Sequence, residues 1–203
     1  MKKALILILL IMMLVSPAVA LAATPTPRPK STSQAVNSNT PADQDVADVS
    51  QETDYVLPYP GLLPDHPLYI IKQIRDYILE FLIVDPIKKD EFYLLQADKK
   101  LNMGLFLMER GKSTMAADII GEAEQHMDRA VGWLASIKQR GIDVPRHLVE
   151  RLEDALIKHE VTIDELIKKQ PDETVKTTLT GLLDVVKKLQ SELGKQMSPG
   201  ANL

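Results

Sequence analysis

Hydrophobic positions fall along this chain in three regimes. Ala4 to Val15 is an unbroken apolar run behind Lys2 and Lys3. Thr24 to Asp54 carries almost no apolar side chain that could be buried, and reads as a polar linker that stays solvated. From Tyr55 onward apolar residues recur every three or four positions, the period of a helix with a buried face, and no segment alternates with period 2.

Start and stop signals divide the third regime into helices. The first is expected over 67–82, with Pro67 in its first turn and Asp65 or His66 as cap. The second, 86–110, opens on Asp85-Pro86 and closes at Gly111; the third, 114–140, runs from Ser113 to Gly141. The fourth, 145–169, has Asp143 as its cap, and the fifth, 172–193, follows Pro171-Asp172 and stops at Gly194. Val175, Leu179, Leu182, Val186, Leu189 and Leu193 alternate four-three in the fifth helix, the pattern of a coiled-coil seam. Leu148, Leu152, Ala155, His159, Ile163 and Leu166 match it in the fourth. These two helices should zip as an antiparallel hairpin about Gln170, which sets His159 against Leu182. A lone imidazole in an aliphatic seam is expected to lie across the seam edge, its nitrogens reaching solvent or polar groups beside Glu160; the sharper alternative is a desolvated ring held neutral, because burial disfavours the charged form. His159 would then act as a pH-sensitive joint that weakens the hairpin as pH falls. The fold class is all-α: an antiparallel bundle of four long helices, with a short N-terminal helix and a proline-rich strap packed on it. That domain is expected over 55–197, followed by a flexible tail, 198–203.

The strap is Tyr55 to Pro64, whose prolines stiffen the chain at low entropic cost before the first helix. Leu68, Ile71, Ile74, Ile78, Leu79, Phe81 and Leu82 make that helix apolar around most of its circumference. Only Lys72, Gln73, Asp76 and Glu80 form a polar strip, so the helix should be covered on more than one side, with the strap feeding it into a groove.

Charge and composition add a compartment. Lys2-Lys3, the apolar run, Ser16-Pro17 and the small-x-small steps Ala18-Val19-Ala20 and Ala20-Leu21-Ala22 read as an export signal over residues 1–22, with the linker over 23–54. The alternative is a retained anchor, since the run extended to Ala23 approaches the roughly 20 residues of a membrane span. In both readings the remainder lies outside the cytoplasm. The net charge is −4, and loss of Lys2 and Lys3 would take it to −6. A duplex nucleic acid partner needs a basic face, so it is disfavoured. The absence of cysteine excludes disulfides, cysteine-ligated zinc and iron–sulfur clusters.

Candidate chemistry concentrates on the second helix. Asp98 projects from the middle of an apolar arc holding Ile87, Leu94, Leu101, Leu105 and Met108, with Glu91 at its edge. A carboxylate on a buried stripe has to be paired or protonated, and Arg75 on the first helix is the expected partner in a structural pair. The sharper alternative is a metal or ligand site in the bundle interior, built from Asp98, Glu91, Glu122 and His126. The chain lacks the paired Glu-x-x-His steps of di-iron bundles. Lys88, Lys99 and Arg110 recur every eleven residues beside Lys89 and Lys100, a face for anionic lipid or wall polymer if it is not simply solvated. Gly104, Gly121 and Gly132 sit inside helices, where they would permit close helix approach. No nucleophile motif or phosphate-cradling glycine loop is present.

The stretches PYPGLLPDHPLYIIKQIRD, DPIKKDEFYLLQADKKLNMG and ERGK resemble an uncharacterised family of exported bacterial helical domains, domain of unknown function 5667, over about residues 55–133. The resemblance implies export and a helical fold, and carries no activity, substrate or catalytic residue. The expectation is an exported, non-catalytic interaction or structural module at the cell envelope, with no cofactor. Its partner would be an envelope protein or wall polymer and no nucleic acid, with membrane contact only through a retained N-terminal segment. The competing expectation is the ligand- or metal-binding bundle.

Overall fold

The computed structural model describes residues 55–197, so the expected signal segment, linker and C-terminal tail lie outside the described residues. Among the described residues five helices form: α1 (Tyr69–Leu82), α2 (Pro86–Glu109), α3 (Ser113–Gln139), α4 (Arg146–Lys169) and α5 (Glu173–Met197). No strand occurs among the described residues, and the architecture is the all-helical bundle that the apolar spacing predicts.

Several helix ends follow from local chemistry. Asp85 accepts from Lys88 N at 2.9 Å, with Pro86 at the first helical position. Asp172 accepts from Thr174 N and Val175 N at 2.8 and 3.2 Å. Both satisfy donors left over in a first turn. At the end of α2, Gly111 takes φ 71° while its N–H bonds Met108 O and Lys112 N bonds Leu107 O. Gly141 repeats the arrangement after α3 at φ 70°. That left-handed turn returns the chain over its last carbonyls, and glycine enters it without a Cβ penalty.

Other ends differ from expectation. α1 starts at Tyr69 because Asp65 is engaged elsewhere, by Arg110 and Lys112 at 3.2 and 2.8 Å, while His66 Nδ1 accepts from Leu68 N. Ser113 is itself helical, and α4 follows Pro145 with no side-chain cap from Asp143. Gly194 does not stop α5, which runs on to Met197, and Lys138 Nζ bonds the Gln196 carbonyl near its end.

Short joints make consecutive helices antiparallel, giving two hairpins, α2–α3 and α4–α5. Placed side by side, they set α2 beside α4 and α3 beside α5, each pair parallel. Asp98 meets His159 and Met108 meets Gln170 along the first pair. Gly121 lies against Leu182, and Lys138 against Gln196, along the second. The seam positions Leu148, Leu152, Ala155, His159 and Ile163 are buried against α5 and the α2–α3 pair. On α5 the buried residue of the central turn is Leu183, while Leu182 is half-buried over Gly121, because α5 has to face both α4 and α3.

Gly104 is where α2 and α3 come closest. A Cβ there would run into the Ile120 side chain and lie 3.3 Å from Ala116 O. Gly121 would meet only ordinary contact and Gly132 nothing, so the close-approach role belongs to Gly104 among the three. Gly104→Ala should lower the urea midpoint and cost about 1–3 kcal/mol, since overpacking of a filled core outweighs the helix-propensity gain. A variant as stable as the parent would show that the two helices can separate freely.

The strap lies across α2. Asn102 Nδ2 donates to Pro58 O at 2.9 Å, and Pro60 and Leu63 are buried. Beyond it the expectation for α1 fails. Tyr69 is the buried residue of this helix, packed in a small cluster with Leu63, Met103, Leu107 and Ile119. The apolar side chains Ile70, Ile71, Ile74, Ile78, Phe81 and Leu82 are all at least half exposed. α1 is laid down with its polar strip inward and its apolar arc outward.

Candidate functional site

The interior holds a charge network centred on a residue expected to be neutral. His159 is fully buried on α4 and reaches both helices of the other hairpin. Its Nδ1 lies 2.7 Å from Glu124 Oε1 on α3, and its Nε2 lies 3.3 Å from Asp98 Oδ1 on α2. Both carboxylates are almost wholly buried. Burial alone would lower the pKa of the ring. The charge of Glu124 and the hydrogen bonds to Asp98 and Glu124 outweigh it and raise the pKa to about 9. At neutral pH the ring is therefore an imidazolium donating from both nitrogens. Asp98 Oδ2 also accepts from Tyr55 OH at 2.6 Å, which ties the start of the strap into the network. Burial, then the Asp98 charge, pushes the Tyr55 phenol pKa up, against the Arg151 guanidinium.

This geometry corrects three expectations. His159 does not face Leu182 as a neutral seam residue; it crosses the bundle diagonal from α4 to α3, and its pKa moves up. Arg75 does not pair with Asp98. It is exposed and forks onto Asp76 at 2.6 and 3.0 Å, because α1 turns that part of its surface to solvent. Nor do Asp98, Glu91, Glu122 and His126 converge. Glu122 pairs with Lys100, Glu91 approaches His147 at 4.0 Å, and His126 tilts against the Tyr93 ring. Among the described residues no three His, Asp or Glu side chains are arranged to hold a metal ion. His159 itself fills the space between its two carboxylates.

The lysine series divides in the same way. Lys100 is buried on Glu122, Lys89 sits over the Trp133 ring, and Arg110 holds Asp65. Lys88 is exposed and Lys99 half-buried, so the five cations do not form one surface.

Beneath α1 lies a polar cavity of about 200 Å³ between it and the α2–α3 pair, lined by Lys72, Glu80, Lys100, His126 and Arg129 among others. Glu80 accepts from Tyr93 OH at 3.0 Å and lies 3.7 Å from Arg129. His126 Nδ1 is buried without a hydrogen-bond partner. Burial, then the charges of Lys100 and Arg129, lowers its pKa to about 4, so the ring is neutral. These polar groups on α2 and α3 would be stranded under an apolar helix face. On the inward polar strip of α1, Glu80 gives Tyr93 and Arg129 a partner, and that leaves the apolar arc outside.

Two further groups escaped sequence reasoning. Glu124 lies on a second buried stripe of α3, Ile120, Glu124, Met127, Val131 and Leu134, whose spacing was readable. Asp90 precedes Leu94, Ala97 and Leu101 on α2, is fully buried, and has no hydrogen-bond partner on either carboxyl oxygen. Burial, with a smaller push from Glu91, raises its pKa to about 7.

Among the described residues no helix is long and apolar enough to cross a membrane. No family model matches this chain, and neither a curated protein nor a solved structure is found to resemble it.

Proposed function

We propose that this protein is an exported, non-catalytic helical interaction module of the cell envelope, with α1 as its docking element. The observation that carries the reading is the outward apolar arc of α1, from Ile70 at 65% exposed to Phe81 at 82%. Continuous apolar surface of this kind has a cost in water, and on a folded domain it marks a contact. The non-catalytic part is supported by where the titratable groups sit. Asp98, Glu124 and His159 are sealed in the core, and their hydrogen bonds hold three helices together. Export is supported by the Lys2-Lys3 and Ala4–Val15 pattern, and by the resemblance of the strap to exported domains of unknown function.

The test is a photo-crosslinking residue at Ile74 in the full chain in intact cells, with Glu153 on the exposed side of α4 as control. Adducts with envelope material should form at Ile74 and not at Glu153. Equal yields at the two positions, or none at Ile74, would remove α1 as a docking element. Alkaline phosphatase fused after Gln51 should be active, because it folds only in an oxidising compartment. An inactive fusion refutes export.

A further inference from the structure

We propose that α1 docks on an anionic lipid surface, its apolar arc entering the acyl boundary and the cations beside it meeting headgroup phosphates. The inference rests on the reading of α1 as the docking element and names what it docks on. A groove of about 530 Å³ opens between the strap and α1, and its walls combine two chemistries. Tyr59, Leu62, Leu68 and Ile71 make it apolar, while Lys72, Arg75 and Lys99 give it three cations; no carboxylate lines it. Arg75 carries its own counter-ion in Asp76, whereas Lys72 and Lys99 form no ion pair among the described residues. Lys72 Nζ lies 3.8 Å from the Met103 sulfur and 5.4 Å from the centre of the Tyr69 ring. Burial and the neighbouring cations Lys100, Lys99 and Arg75 bring its pKa down to about 8, despite Asp76, so a phosphate here would relieve repulsion already present.

The form of α1 suits an interface. Its apolar arc carries Tyr77 and Phe81 among isoleucines, and its polar strip is held against the bundle, as in helices that lie in the plane of a bilayer. Among the described helices it is also the nearest in sequence to the Ala4–Val15 run, which reads as an export signal. A second copy of this chain is the rival occupant. A two-fold contact through the same face would bring two Lys72–Arg75–Lys99 groups together without a lining carboxylate to offset them. Anionic lipid complements both the apolar and the cationic part.

The chain has no cysteine, so Ile74→Cys and Glu153→Cys each accept one environment-sensitive fluorophore. Full-length labelled protein is mixed with vesicles of phosphatidylglycerol and phosphatidylcholine, or of phosphatidylcholine alone. Because the N-terminal run can bring the chain to either vesicle, the label position isolates what α1 does. With anionic vesicles the Ile74 label should shift to the blue and be quenched by doxyl lipids, and the Glu153 label should not. The response should weaken with added salt and on pure phosphatidylcholine. Arg75→Gln with Lys99→Gln should raise the vesicle concentration needed by about tenfold or more, while circular dichroism reports an intact fold. Absence of quenching on anionic vesicles overturns the proposal. Quenching indifferent to lipid charge and to the glutamine variant overturns the headgroup contact. A blue shift without lipid, in a chain that sediments as a dimer, assigns the face to a second copy; that outcome overturns the lipid surface and leaves α1 as the docking element.

Discussion

His159→Leu is expected to destabilise the domain by about 3–5 kcal/mol near pH 6, although it completes an aliphatic seam. The substitution leaves Glu124 and Asp98 buried without the imidazolium that joins them. The pH dependence has a definite sign. The folded-state pKa is raised to about 9 from 6.5, so the stabilisation is fully present below 6.5 and is lost as pH rises through 9. A shift of that size is worth up to about 3 kcal/mol. Urea denaturation of parent and variant between pH 6 and 10 should show a large gap that narrows on the alkaline side. A variant as stable as the parent at pH 6, or a gap that widens on alkalisation, would mean that the ring is not charged in the fold. Replacing Asp98, Glu124 and His159 together by leucine should recover much of the loss, since desolvation is then removed with the attraction.

The second large effect has the opposite sign. Asp90→Asn should stabilise the domain at neutral pH, by up to about 4 kcal/mol above pH 7. Both oxygens of Asp90 are buried without partners, and its pKa is raised from 3.8 to about 7. The parent carries no charge penalty below pH 3.8. It loses stability as pH rises from there to about 7, where the folded carboxyl finally ionises, and the full cost persists above. Asparagine has nearly the same shape and no such titration. The difference between the two proteins should therefore open between pH 4 and 7 and then level off. A flat difference across that range would place Asp90 in contact with water or a cation.

The two variants bracket the same core. His159 and its carboxylates are a paired ionic group that specifies how the hairpins meet, with Glu124 Oε2 left without a hydrogen-bond partner, whereas Asp90 has no partner on either oxygen and weakens the fold. Mixing the two hairpins in another register would separate His159 from at least one carboxylate, so the network also selects the parallel pairing of α2 with α4.

Much of the fold was legible because it rests on local chemistry. Asp85-Pro86, Gly111, Gly141 and Asp172 mark helix ends through bonds to residues two to five positions away, and a chain read in one dimension contains such bonds. The three-four spacing in α3, α4 and α5 likewise identified the buried faces, His159 included. Gly194 misled because glycine permits a stop without compelling one, and the Lys138 contact comes from a residue on another helix.

The sequence by itself determined an all-α chain, most of the buried seam positions of α3, α4 and α5, and that the interior contains Asp98 and His159. Tertiary structure decided what those interior groups touch. Asp98 meets Tyr55 and His159, 43 and 61 residues away in opposite directions along the chain, and no periodicity encodes which of several buried charges will meet. The orientation of α1 was decided at the same level. Its amphipathic pattern is plain in one dimension, but a helix turns its polar side inward only when the surface beneath it is polar. Lys100, His126 and Arg129 form that surface once α2 and α3 have packed together.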